Sequence, residues 1–153
     1  MRKFLVLFSG LAFVAAAVAG CGDKLQQSLT RQQTQATAAK PVDYATLLSA
    51  LRAAGVRAER GDEVEQPFLP LKGTMIKIGQ EDVQVFQYSD AAQVAAQAAR
   101  ISPDGGTVGT SKIRWIGSPH FYKQDKLLVL YLGEDGKVLK ALEAILGRQF
   151  AGK

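Results

Sequence analysis

The sequence has very little of the side chains that most enzyme chemistry uses. It holds one cysteine, Cys21, one histidine, His120, one tryptophan, Trp115, and five prolines in 153 residues. A single histidine excludes a His-based metal cluster, and a nucleophilic triad would have to be built around His120 itself. A single cysteine excludes any disulfide within the chain. Runs of basic residues are also lacking: the formal net charge is +5 with the basic residues scattered, so nucleic acid has no support as a partner.

The position of the one cysteine is informative. Two positive charges, Arg2 and Lys3, open the chain, and no charged side chain occurs from Phe4 to Gly20. A basic start and an apolar run of about 17 residues, diluted by Ala15, Ala16 and Ala17 and ending in small residues, read as an export signal; a membrane span needs about 20 apolar residues with flanking anchors. On the residues alone, Cys21 is a modified residue at the cut, a thiol beside an ordinary secretory cut, or a buried thiol. The stretch Val18-Ala19-Gly20-Cys21 resembles the lipobox of bacterial lipoproteins.

That resemblance covers the first 21 residues and implies the following. The Cys21 thiol receives diacylglycerol, residues 1–20 leave as a signal peptide, and the new amino terminus is acylated, with palmitate the expected kind of chain. Each buried methylene contributes about 0.8 kcal/mol, so two or three chains hold a protein on a membrane where one binds only reversibly. A thioether is inert in an oxidising compartment, which leaves the mature chain without a cysteine nucleophile or a cysteine-bound metal. Gly22 follows the cysteine and Asp23 comes next. Inner-membrane retention favours Asp directly after the cysteine, so a diderm host would place this protein at the outer membrane.

From residue 22 to residue 40 the sequence is rich in Gln, Thr and Ala and stops at Pro41, which disfavours helix at the residue before it. Leu25 and Leu29 are four apart, but two apolar positions do not make a stable helix face. Residues 21–41 are therefore expected to be a lipidated cysteine and a flexible tether with a typical reach of about 25 Å. Residues 42–153, about 110 in number, suffice for a single domain with its own core. Without Arg2 and Lys3 the side-chain charge falls to about +3, mild but favourable near anionic headgroups.

Three segments carry helical periodicity. Tyr44, Leu47, Leu48 and Leu51 lie at i, i+3, i+4 and i+7 between Asp43 as cap and Gly55 as stop. Asp90 and Gln93 suggest a capping box ahead of Val94, Ala98 and Ile101, and Val138, Leu142, Ile145 and Leu146 end at Gly147. Hairpins are expected over about 74–78 and 82–88 and over about 112–122 and 127–132, the latter turning at Lys123-Gln124-Asp125. A short strand at 56–59 precedes a loop punctuated by Pro67 and Pro70, and Pro119 should make its strand an edge or bend. The expected class is α+β, a mainly antiparallel sheet of about five strands with three helices in the order α-β-ββ-α-ββ-α. The helices should lie on one face and leave the other available for docking.

Chemistry-bearing motifs are few. His120 reads as a structural or surface residue near the Pro119 bend. Glu59, Asp62, Glu63 and Glu65 read as a solvated loop without the ligand spacing of an EF-hand. The glycine-rich stretch 102–111 follows a helix and leads into a strand, the reverse of a phosphate loop, and reads as a flexible connection. Trp115, Phe121 and Tyr122, with Phe86, Tyr88 and Tyr131, either pack under the helices or expose a subset as a binding platform. The sequence thus predicts no catalytic residues, no metal and no cofactor. It predicts a lipid anchor at Cys21 and a possible binding surface of Trp115, His120, Phe121 and Tyr122 for an envelope protein or small ligand. The alternative is a small envelope hydrolase that uses His120 with nearby carboxylates.

Overall fold

Aspartates begin all three helices of the domain. In α1 (Tyr44–Ala53), the Asp43 carboxylate accepts from the Thr46 amide at 2.8 Å, which satisfies one of the donors a helix start leaves open. Gly55, at φ +79°, ends it: the Val56 amide reaches the Leu51 carbonyl and the Gly55 amide reaches that of Arg52, a Schellman closure. Asp90 caps α2 (Ala91–Ala98) and Asp135 caps α3 (Gly136–Leu146) in the same way. The computed structural model describes residues 42–153. The export signal, Cys21 and the tether lie outside the described residues.

The strands are β1 (Ala58–Val64), β2 (Gly73–Ile78), β3 (Glu81–Gln87), β4 (Thr107–Val108), β5 (Ser111–Lys112), β6 (Pro119–Gln124), β7 (Leu127–Leu132) and β8 (Ala151–Gly152). Six of them form one antiparallel sheet in the order β1-β2-β3-β7-β6-β8, and β4 and β5 form a separate ribbon. The α+β class and the mainly antiparallel sheet follow the sequence expectation, with the ribbon and β8 added to the five expected strands and β1 running on past the expected 56–59. Residues 112–118 do not belong to the long hairpin, which starts at Pro119 and turns at Asp125 and Lys126. Pro119 is the first residue of β6, where a missing amide costs no ladder bond, and β8 covers that strand only at His120 and Phe121.

The acidic run is strand rather than loop. Glu59, Asp62 and Glu63 lie on β1, whose pairing with β2 shifts register between Arg60 and Glu63. An edge strand that is bulged and charged resists pairing with another chain, so the same side chains that suggested a solvated loop suit an exposed edge. Glu65 follows the strand and pairs with Lys72 at 2.6 Å in the open, where such pairs contribute little.

Both faces of the sheet are covered, which corrects the expectation of helices on one face. Leu47 and Leu51 of α1 and Val138, Leu142 and Leu146 of α3 pack on Ile76, Val83, Val85, Val129 and Tyr131. On the opposite face Val94 of α2, with Ile101, Val108 and Leu69, packs on Phe86, Phe121, Leu128 and Leu130. Alternation decides the assignment: successive side chains of a strand point to opposite faces, and along β7 Leu127, Val129 and Tyr131 go one way and Leu128 and Leu130 the other.

Gly73 tests the closeness of this packing. A Cβ there would stand 2.8 Å from the Phe86 ring and 2.9 Å from the Val85 carbonyl oxygen. Gly73→Ala is expected to destabilise the domain by about 1–3 kcal/mol through overpacking, read as a lower urea midpoint with an unchanged slope.

Candidate functional site

The segment between β5 and β6 is held by its tryptophan. The Trp115 indole N–H donates to the Gly105 carbonyl at 2.7 Å. Its ring meets Phe68 edge-on at a centroid distance of 5.4 Å and Phe121 at 5.8 Å, the geometry aromatic pairs favour. The glycine-rich stretch beneath it is well tied down rather than a loose connection. Ser102 Oγ donates to Asp104 Oδ1 at 2.6 Å, the Gly106 amide donates to the same oxygen at 2.9 Å, and the Thr107 amide donates to Ser102 Oγ at 2.9 Å. The Ser102 hydroxyl first, and then the Gly106 amide, hold the Asp104 carboxyl below the usual carboxylate range.

Beyond the tryptophan, the chain turns outward. Ile116 is 97% exposed, the exposed large hydrophobic residue among those described. It borders a cleft of about 520 Å³ shared with Trp115, Pro119, Asp104, Glu134 and Lys153. The Ser118 hydroxyl donates to Glu134 at 2.7 Å across this cleft.

On the other side of the β6 start lies a second cleft of about 400 Å³, bordered by His120, Tyr122, Glu143, Arg148, Gln149 and Lys153. His120 is only 6% exposed and lies 6.0 Å from the Tyr131 ring, nearly parallel to it. Its Nδ1 is 2.6 Å from Gln149 Oε1, and because a carbonyl oxygen only accepts, Nδ1 carries the proton. Nε2 is buried without a partner, an arrangement that costs about 1–3 kcal/mol. Tyr131 is better served: its hydroxyl donates to Glu81 at 2.7 Å and accepts from the Asp135 amide at 3.0 Å. Burial first, and then the Glu81 bond, push Tyr131 up to about 12. Burial, reinforced by the Glu143 charge, also raises Tyr122.

The four residues expected to share a surface are therefore divided. Phe121 and Tyr122 are 0% and 2% exposed and lie in the cores of opposite faces, so neither offers a platform. Phe86, Tyr88 and Tyr131 are buried as well. Trp115 is half-buried at the first cleft and His120 nearly buried at the second. Sequence reasoning missed Ile116, which lies between Trp115 and Gly117, five residues beyond the glycine-rich stretch. It also missed Gln149, 29 residues from His120, for which no local signal existed. Among the described residues no group of three or more His, Cys, Asp or Glu side chains could hold a metal ion.

No protein-family model, curated protein or solved structure matches the chain.

Two measurements test this arrangement. His120→Ala is expected to cost about 1–3 kcal/mol, the usual range for losing a buried hydrogen bond and packed ring, and to speed hydrogen exchange at Phe150, Gly152 and Lys153, the amides that tie the C-terminal arm to Phe121, Pro103 and Pro119. Stability should also fall at alkaline pH. The Tyr131 value is higher folded than unfolded, so its contribution is complete below about 10, the ordinary tyrosine value, and is lost as pH rises through about 12. In Tyr131→Phe that alkaline loss should shrink.

Proposed function

We propose that this chain is a lipid-anchored protein of a bacterial cell envelope, tethered through Cys21, whose globular part is a non-catalytic module that binds an envelope protein or small ligand. The observation that carries the reading is Val18-Ala19-Gly20-Cys21 behind Arg2, Lys3 and an uncharged apolar run. Two features of the described residues support a module of this kind. No helix there is long and apolar enough to cross a membrane, so membrane residence would rest on the lipid. The two clefts also meet at Lys153, at the end of the sheet away from the point where the chain enters the domain at Asp125.

A second reading, a small hydrolase working through His120, has one observation in its favour: Glu143 and Tyr122 border the same cleft. Against it, the ring's Nδ1 is bound by an amide rather than a carboxylate and its Nε2 is buried, whereas a general base needs an accessible nitrogen and an orienting partner. A screen of chromogenic esters that found turnover lost in a folded His120→Ala variant would favour the hydrolase; no His120-dependent turnover is expected.

Intact mass and membrane fractionation of the expressed protein test the anchor. The expected result is a chain beginning at Cys21 with added diacylglycerol and acyl mass, found in the membrane fraction, and a Cys21→Ala control released from it. A soluble product without lipid mass overturns the reading.

A further inference from the structure

We propose that the segment from Lys112 to Gly117 lies on the surface of the anchoring membrane, with Ile116 at the boundary of headgroups and acyl chains and Lys112 and Arg114 on anionic headgroups. The proposal rests on the lipid-anchor reading and adds to it a specific contact. Ile116, at 97% exposed, is an outlier in a domain whose other large apolar side chains are buried or half-buried among the described residues. It is set between features that suit an interface. Lys112 and Arg114 are exposed on the same short segment, and a basic residue near an anionic bilayer is attracted to it. Trp115, one residue away, is an amphipathic ring of the kind enriched at headgroup depth. Its indole is pinned to Gly105 and its ring wedged between Phe68 and Phe121, so Ile116 is presented from a rigid base and little ordering cost accompanies insertion.

The local charge is compatible. Asp104 and Glu134 also border the cleft, together with Lys153, and each carboxylate is already hydrogen-bonded to a serine. Lys112 and Arg114 stand within four residues of Ile116 along the chain and are exposed, so the cations belong to the tip itself while Asp104 and Glu134 belong to the cleft wall.

Chain length permits the contact. The described chain enters the domain at the Asp125 turn, where the Val42 amide donates to Asp125 at 2.8 Å, and Ile116 lies beyond the opposite, Pro119 end of β6. Six strand residues separate those ends by about 20 Å. Residues 22–41 span up to about 70 Å when extended, so a domain held at Cys21 can bring its far end to the same bilayer. Tethering raises the effective concentration of that surface, so a contact too weak for a free protein becomes occupied.

The single tryptophan reports the contact directly. Full-length lipidated protein is reconstituted on phosphatidylcholine–phosphatidylglycerol vesicles with and without brominated acyl chains, and Trp115 fluorescence is read beside flotation. The expected result is quenching by brominated lipid, reduced by roughly half or more in Ile116→Asp and in Lys112→Glu/Arg114→Glu, as loss of an apolar or electrostatic interfacial contact requires. All variants should remain floated. Flotation without quenching, or quenching equal in wild type and Ile116→Asp, overturns the docked loop and leaves the anchor intact. Loss of flotation in the wild type removes the anchor and the docking with it. Circular dichroism of each variant guards against unfolding, which exposure of all three side chains makes unexpected.

Discussion

The rest of the domain depends on the burial of β7. Its first five residues, Leu127 to Tyr131, are buried and apolar or aromatic, and strand geometry sends them alternately to the two faces. A strand of that composition is stable only where both faces are shielded from water, because each large side chain left exposed would forfeit about 1.5–3 kcal/mol. One face is closed by α1 and α3. The other, which must accommodate Phe86, Phe121, Leu128 and Leu130, has a single helix of eight residues and is completed by irregular chain: Leu69 from the proline-punctuated loop, Ile101 and Val108 around the ribbon, and the aromatic line of Phe68, Trp115, Phe121 and Phe150.

This explains why the glycine-rich stretch is ordered. A cover made of loop must satisfy its own backbone groups, and the Ser102, Asp104 and Thr107 bonds do so beneath Trp115. Gly105 and Gly109 take positive φ, which the turns flanking β4 require and which other residues adopt at a cost. The same requirement fixes the C-terminal arm. Phe150 packs against Phe121 at 6.2 Å, Ala151 enters the core, and Gly152 passes so close to the Pro119 carbonyl that a Cβ there would collide with it. Gln149 is thereby delivered to His120.

What was legible in the sequence was what depends on nearby residues. The helix caps at Asp43 and Asp90, the stops at Gly55 and Gly147, and both main hairpins follow from local chemistry and periodicity. The burial of β7 is legible too, and a continuous apolar run implies cover on two faces; that α2 lies opposite α1 and α3 is not legible, because helical periodicity says which side of a helix is apolar and nothing about which face of the sheet it meets. The acidic stretch misled for a related reason, since charged residues mark an exposed edge strand as readily as a loop. Trp115 and His120 were picked out by rarity and do border clefts. Phe121 and Tyr122 belong to the aromatic set the sequence offers, but they are adjacent on β6 and so lie on opposite faces.

A sheet closed on both faces leaves few places for function. The β1 edge is bulged and charged, which disfavours strand addition, and the β6 edge is covered by β8 where it would be most open. One end of the strands is occupied by the incoming chain, where Val42 and Tyr44 are bound by Asp125 and Gln87. The other end, formed by Pro119, Gly133 and the segment before β6, holds the first cleft and the outlying isoleucine, and the second cleft, which runs beside β6 and α3, shares Lys153 with it. Binding sites gather on chain segments positioned by a rigid scaffold, and here the scaffold leaves that end as the place where an apolar side chain, several charges and two concavities occur together. The two-faced burial that stabilises β7 thus also leaves the ends and edges of the sheet, rather than its faces, open to solvent.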